Sequence, residues 1–142
     1  MEMYELVYCS IANPNLKEKD IFNILEKAHN FNLKKSITGC LLFHNNEFIE
    51  ILEGDKSVLH NLIEEIKKDV RHTSVMVLAE NKIEKRVFDK WITAHHKVEN
   101  DDIVNVDRLI FINNFLTLSE LIPKPTHASR VFWYMVKQLL QD

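Results

Sequence analysis

The sequence predicts an α+β fold, a ferredoxin-like βαββαββ sheet with two helices on one face and a C-terminal helical cap. Three observations carry this. Five short runs are rich in β-branched and aromatic residues. Two stretches of helical period fall after the first and third of them, and a third helical stretch ends the chain. The first run, Tyr4 to Ile11, alternates so that Tyr4, Leu6, Tyr8 and Ser10 share a face, and Asn13-Pro14-Asn15 ends it as a turn. Ile21, Ile24, Leu25, Ala28 and Asn32 then recur at helical spacing, which predicts a helix over about residues 17–31 with Asn32 as the one polar member of its stripe.

Ile37 to Phe43 and Glu47 to Glu53 are two further strands, and His44-Asn45-Asn46 between them suits a hairpin turn. Leu59, Leu62, Ile63, Ile66 and Val70 mark a second amphipathic helix ending near residues 69–72. Ser74 to Glu80 and Phe88 to His95 read as the fourth and fifth strands, and both helices are expected on the same side of the sheet. From about Glu99 the character changes, with Asn100-Asp101-Asp102 as a break and Pro123 and Pro125 as punctuation. Two segments follow: a domain over 1–97 and a helical extension over 98–142. In that extension Ala128, Val131, Phe132, Met135, Val136 and Leu139 form a stripe for the open sheet face or for another subunit.

Composition narrows the function classes. At 142 residues and 46% hydrophobic content the chain has enough apolar material for one proper core. Eighteen basic against 21 acidic residues, without a basic run, speak against direct nucleic-acid binding. Cys9 and Cys40 have neither zinc-ligand nor disulfide-framework spacing and are expected as buried thiols in a reducing cytoplasm. No signal-peptide pattern and no membrane-length apolar run is present, so neither secretion nor membrane insertion is expected.

The segment Phe48-Ile49-Glu50-Ile51-Leu52-Glu53-Gly54 is the most informative. Alternation places Glu50 with Phe48 and Leu52 on the covered face, where an unpartnered carboxyl costs several kcal/mol, roughly. Tyr8 and Asn32 point into the same layer, and three converging polar side chains mark a small-molecule pocket. Each also has a local explanation: Tyr8 bonded to a carbonyl, Asn32 as a helix C-cap, Glu50 bonded to Tyr8.

Taken together, Leu6-Val7-Tyr8-Cys9-Ser10, Asn32, Ile37-Thr38-Gly39, Phe48-x-Glu50-x-Leu52-Glu53-Gly54, Asp69-x-Arg71-His72, Arg86-x-Phe88 and Trp91 resemble the BLUF family of blue-light sensors using flavin, over about residues 3–96. The resemblance implies a flavin cofactor, FAD first with FMN or riboflavin open, held between helical stripes containing Ile24, Leu25, Leu62 and Ile66. It implies Asn32 on the flavin's pyrimidine edge, Tyr8 as electron and proton donor, and Trp91 in coupling flavin to sheet. Asp69, Arg71 and His72 would hold the ribityl or phosphate end. The tail is similar to that of short, single-domain members, which implies output through a separate protein partner or a homo-oligomer.

The sequence departs from the family at Glu50, where Gln is usual. That amide rearranges between Tyr and flavin and strengthens a hydrogen bond to flavin O4. A carboxylate has only acceptors, and a protonated carboxyl has one donor. Burial favours the neutral acid. Phe31, Glu65 and Thr93 stand where Asn, Arg and Met occur in relatives. Two other readings compete. One is a light-insensitive scaffold of the same fold. The other is an acid/base enzyme using Glu50 or Glu53 with Tyr8 and His72, for which no nucleophile constellation or metal motif is present.

Overall fold

A computed structural model describes residues 1–95 and 104–141. The elements run β1 (Met3–Ala12), α1 (Glu18–Lys34), β2 (Thr38–His44), β3 (Glu47–Asp55), α2 (Lys56–Lys68), β4 (His72–Lys82), β5 (Trp91–His95), α3 (Val104–Leu121) and α4 (His127–Gln141). They form one five-stranded sheet in the order β4-β1-β3-β2-β5. All neighbours are antiparallel except β2 and β5, which run parallel at the edge. This is the predicted ferredoxin-like arrangement with one strand added. The expected boundary between residues 97 and 98 lies outside the described residues.

The β2–β3 turn follows from its residues. Asn45 and Asn46 take φ of 50° and 66°, the left-handed pair that a two-residue hairpin needs and that Asn tolerates. Strand alternation then sorts the core into two layers. Tyr4, Leu6, Tyr8, Phe48 and Leu52 pack with Ile21, Ile24, Leu25, Leu59 and Ile63 of the two crossover helices. Val7, Cys40, Leu42, Ile49 and Ile51 pack on the opposite face with Phe132, Trp133, Val136, Leu139 and Leu140 of α4. The tail stripe left open in the sequence therefore covers the sheet of its own chain. Met135 also packs against this layer, and Phe115 joins it from α3.

Two local differences have clear causes. Val70 does not extend the α2 stripe but is 81% exposed, because the helix has ended at Lys68 and the 3.6-residue period no longer applies. The fifth strand begins at Trp91 instead of Phe88. The N–H groups of Val87 and Phe88 donate at 2.7 and 3.0 Å to the two oxygens of the buried Glu53 carboxylate, so they are not spent on a ladder.

Glu53 is thus a structural latch. Thr38 Oγ1 donates to it at 2.8 Å, and Arg86 reaches Thr38 Oγ1 and the Glu53 carbonyl at 2.8 and 3.0 Å. Glu53→Gln places an NH2 where a backbone N–H now donates. It is expected to cost about 1–3 kcal/mol, the usual cost of an orphaned buried donor. Urea unfolding checks this, and an unchanged midpoint would contradict the latch.

Among the described residues no helix is long and apolar enough to cross a membrane, and no group of three or more His, Cys, Asp or Glu is arranged to hold a metal ion.

Candidate functional site

The floor of the site is one row of the sheet. Cα register aligns Val77 of β4, Tyr8 of β1, Glu50 of β3, Leu41 of β2 and Thr93 of β5. A bulge helps aim this row: β1 pairs Val7 with Ala79 but Tyr8 with Val77, leaving Leu78 as the extra residue of β4. Above the row, α1 and α2 leave a cavity of about 770 Å³. Its α1 wall is Ile24, Lys27, Ala28, Phe31 and Asn32 with the capping Lys35, and its α2 wall includes Val58, Asn61, Leu62, Glu65, Ile66 and Lys68. Both sets recur at three- and four-residue steps, as one helix face must.

Tyr8, Ile24, Asn32, Glu50, Ile66, Asp69, Arg71 and His72 all line this cavity. Leu25 and Trp91 do not. Leu25 is buried with the sheet-facing core, since the residue after Ile24 is turned about 100° around the helix and leaves the cavity side. Trp91 lies on the same sheet face, but its register partner is Gly39, two residues along the strand from the Glu50 row. Thr93, which is exposed, occupies the β5 position at the level of Glu50. The buried Trp91 Nε1 has no hydrogen-bond partner.

Tyr8 and Glu50 form the chemical centre. Both are almost fully buried, and the Tyr8 hydroxyl donates to Glu50 Oε2 in a very short hydrogen bond. Burial pushes the Glu50 carboxyl up to about 7 against the opposing hydrogen bond from Tyr8, so it holds its proton into the neutral range. Burial first, then the neighbouring Glu50, raises the Tyr8 phenol well above its ordinary value. Tyr8 therefore keeps its proton in the dark.

The Glu50 shift carries a stability consequence. Between the unfolded value of 4.5 and about 7, the folded chain holds a proton that the unfolded chain has released. Glu50's contribution to the stability of the ligand-free protein is therefore greatest at low pH and is lost as pH rises through that window, by up to about 3 kcal/mol. Denaturant midpoints at pH 5 and 8 should show this fall in the native chain and its removal in Glu50→Gln. An identical fall in both would assign it to other groups.

Asn32 is the second centre. It is 1% exposed, and neither its amide nitrogen nor its amide oxygen has a hydrogen-bond partner. It is not a C-cap, because α1 continues to Lys34 and Lys35 caps it. A donor and an acceptor left idle at a cavity wall are rare in a native fold, and they fit a ligand that presents an adjacent carbonyl and N–H. A flavin pyrimidine edge has that pair, and the apolar Ile24, Ala28, Leu62 and Ile66 suit its flat ring.

The far end of the cavity is charged. Asp69, which caps α2, receives Arg71 Nε at 3.0 Å and Nη2 at 2.7 Å, and Arg71 N donates to the same carboxylate at 3.0 Å. The guanidinium beside it holds Asp69 below the usual carboxylate range. His72 Nδ1 shares a 2.9 Å hydrogen bond with Ser10 Oγ, and burial lowers its basicity. Lys27, Lys35 and Lys68 also line the cavity. The sequence analysis named only apolar residues and Asn32 on the helix faces and so missed these lysines. For Lys27 and Lys35, a spacing of three or four residues from Ile24, Phe31 and Asn32 was the available signal. Glu53 lies on the opposite sheet face in its latch, which separates it from Tyr8 and His72 and removes it from any shared acid/base site.

Residues 3–94 match the BLUF family, described as sensors of blue light using FAD. Over 83 residues, 58% of this chain and 10% of the relative, the chain is 36% identical to photoactivated adenylate cyclase subunit beta of Euglena longa. It thus spans about a tenth of the length of the curated relatives it matches. The photo-activated state of BlsA superposes with a TM-score of 0.64 at 25% identity, covering 99% of this chain and 96% of that one. The Klebsiella pneumoniae BlrP1 manganese and cyclic diGMP complex at pH 6 shares the fold, with a TM-score of 0.69 at 24% identity, over 96% of this chain and 33% of that one. With its family match covering residues 3–94, its sheet of five strands and its two crossover helices over a buried Tyr–carboxyl pair, the chain belongs to the BLUF family, whose domains sense blue light with a bound flavin.

Proposed function

We propose that this chain is a flavin-binding blue-light sensor whose response is altered by Glu50, signalling through contact with a separate protein in the cytoplasm. The observation that carries the reading is Asn32, a buried amide with both hydrogen-bonding atoms idle beside the Tyr8–Glu50 pair. The bound flavin supplies absorption of blue light and, once excited, a strong appetite for an electron. Every other step belongs to the side chains. Ile24, Leu62 and Ile66 would hold the ring and exclude water, Asn32 would fix its polar edge, and Asp69, Arg71 and His72 with the cavity lysines would meet the ribityl or phosphate end.

Tyr8 is an oxidisable group in the cavity floor, and its proton already lies on a short path to Glu50 Oε2. A neutral Glu50 has one O–H to give and cannot interchange an NH2 with a C=O. The hydrogen-bond exchange that an amide performs at this position is therefore blocked, and Glu50 holds the pocket in one bonding state. A homo-oligomer, or a partner seated on the helical extension over residues 98–142, would read out the remaining change. The light-insensitive scaffold is the second reading, supported by the same substitution.

Absorption spectra of the flavin-supplemented protein in the dark and directly after blue illumination test the reading. A retained flavin band with a red shift absent or much smaller than that of Glu50→Gln is expected. A full, reversible shift in the native chain would show that a carboxyl performs the amide's task and overturn the blocked state.

A further inference from the structure

Glu50 is a carboxyl in the floor of a cavity whose helix walls bring the apolar Ile24, Ala28, Leu62 and Ile66 and whose charged groups gather at the far end, and among the described residues its one hydrogen-bond partner is Tyr8. Tyr8 can only donate to it while the phenol keeps its proton. When Glu50 is ionised, both of its oxygens are acceptors. One receives Tyr8, and the other brings only lone pairs to the cavity, where a bound ring presenting a carbonyl would meet repulsion. When Glu50 is protonated, the same position offers an O–H to that carbonyl. A ligand filling the cavity also displaces the water with which an ionised carboxyl would be solvated, which penalises the charged form further.

We infer that flavin binding to this chain is proton-linked through Glu50: the oxidised flavin binds the form with Glu50 protonated and is released as Glu50 ionises. This rests on the flavin reading of the cavity and adds to it a condition that an amide at position 50 would not impose. The groups facing Glu50 are consistent with it. Tyr8 of β1 stays protonated, and Cys40, near Glu50 but on the other face of the sheet, has its thiol pushed far up by burial. From α1 come Lys27, Lys35 and the neutral Asn32. From α2 and the turn after it come Glu65, Lys68, Asp69 and Arg71, with His72 at the start of β4. Of these, Asp69 and Arg71 neutralise each other, Asp69 held down and Arg71 held up by the ion pair. His72 remains present in any Glu50 variant, so its contribution subtracts out.

The expected size follows from linkage. With the Glu50 carboxyl at about 7 in the free protein, the apparent dissociation constant is nearly flat below that pH and rises about tenfold per pH unit above it. Riboflavin is the suitable probe because it has no phosphate to titrate. Its binding would be followed by fluorescence titration between pH 5.5 and about 9 for the native chain and Glu50→Gln. A second readout uses the native chain alone: calorimetric titration at pH 8 in two buffers of different ionisation enthalpy should show uptake of close to one proton per riboflavin bound.

The proposal requires the affinity of the native chain to fall by about tenfold or more from pH 6.5 to about 8.5, with Glu50→Gln nearly flat over the same range. The same pH profile in both proteins, or no proton uptake, overturns the role of Glu50 and leaves the flavin reading standing. Failure of both proteins to bind riboflavin at any pH overturns both.

Discussion

Glu50→Gln should produce, or enlarge several-fold, a reversible light-induced red shift of the flavin band. The carboxyl sits with Tyr8 in a buried, very short hydrogen bond and is kept neutral by burial up to about pH 7. A neutral carboxyl has one proton to place and two unequal oxygens. An amide has a donor end and an acceptor end, and rotation or tautomerisation swaps which one meets Tyr8 and which one meets the ligand. The substitution is nearly isosteric, and Leu41, Phe48 and Tyr8 around it remain in place, so folding should survive. It also removes a group that destabilises the ligand-free chain above neutral pH. Dark and illuminated spectra of the two proteins, with the same flavin, decide the matter. Equal responses would show that position 50 does not control the photochemistry.

Gly39→Ala should be the most damaging single methyl in the chain, with a loss of about 4 kcal/mol or more. Gly39 has φ of +141°, a backbone conformation that L side chains rarely adopt. A Cβ built there lies 2.0 Å from the carbonyl oxygen of Ile51 and 3.3 Å from the Cα of Leu52. Neither is the end of a flexible side chain, so relief requires β2 to move off β3. The same residue is the register partner of Trp91, so the displacement would carry β5 with it. The expected outcome is a protein that is insoluble or unfolds at much lower denaturant than the native chain. A midpoint within experimental error of native would contradict the close approach.

Much of the site was legible because it obeys two periods. Alternation along Phe48, Glu50 and Leu52 put the carboxyl on the helix-covered face, and the same argument brought Tyr8 opposite it. The step of four from Ile24 through Ala28 to Asn32 put the amide on the same layer. What escaped the sequence depends on how elements are set against one another. Ile24 and Leu25 are both apolar and both buried in the same core layer, and only the roll of α1 decides that Ile24 also lines the cavity while Leu25 does not. The level of Trp91 depends on the parallel register of β5 with β2, which no residue pattern encodes. The late start of β5 depends on Glu53 taking two backbone N–H groups from a loop more than 30 residues away.

Lys27, Lys35 and Lys68 escaped for a different reason. Charged residues on amphipathic helices usually face water, and these three are exposed while also bordering the cavity. For Lys27 and Lys35 the signal was the match of their spacing to the cavity-lining positions on either side of them. The idle atoms of Asn32 could not be read from sequence at all, since a lone Asn near a helix end is more often a cap. That observation carries the functional reading further than any motif does.

The central claim, that the cavity above Tyr8 and Glu50 holds a flavin through Asn32, is tested most directly by retention. Native protein and Asn32→Leu would be mixed with FAD at pH 6, where Glu50 is protonated, gel-filtered, and read for the flavin absorption band per chain. The account predicts close to one flavin per native chain and a loss of at least about tenfold in affinity for Asn32→Leu, as expected when a buried ligand's donor and acceptor lose their partner. No retained flavin on the folded native chain, or equal retention by the two proteins, would contradict it.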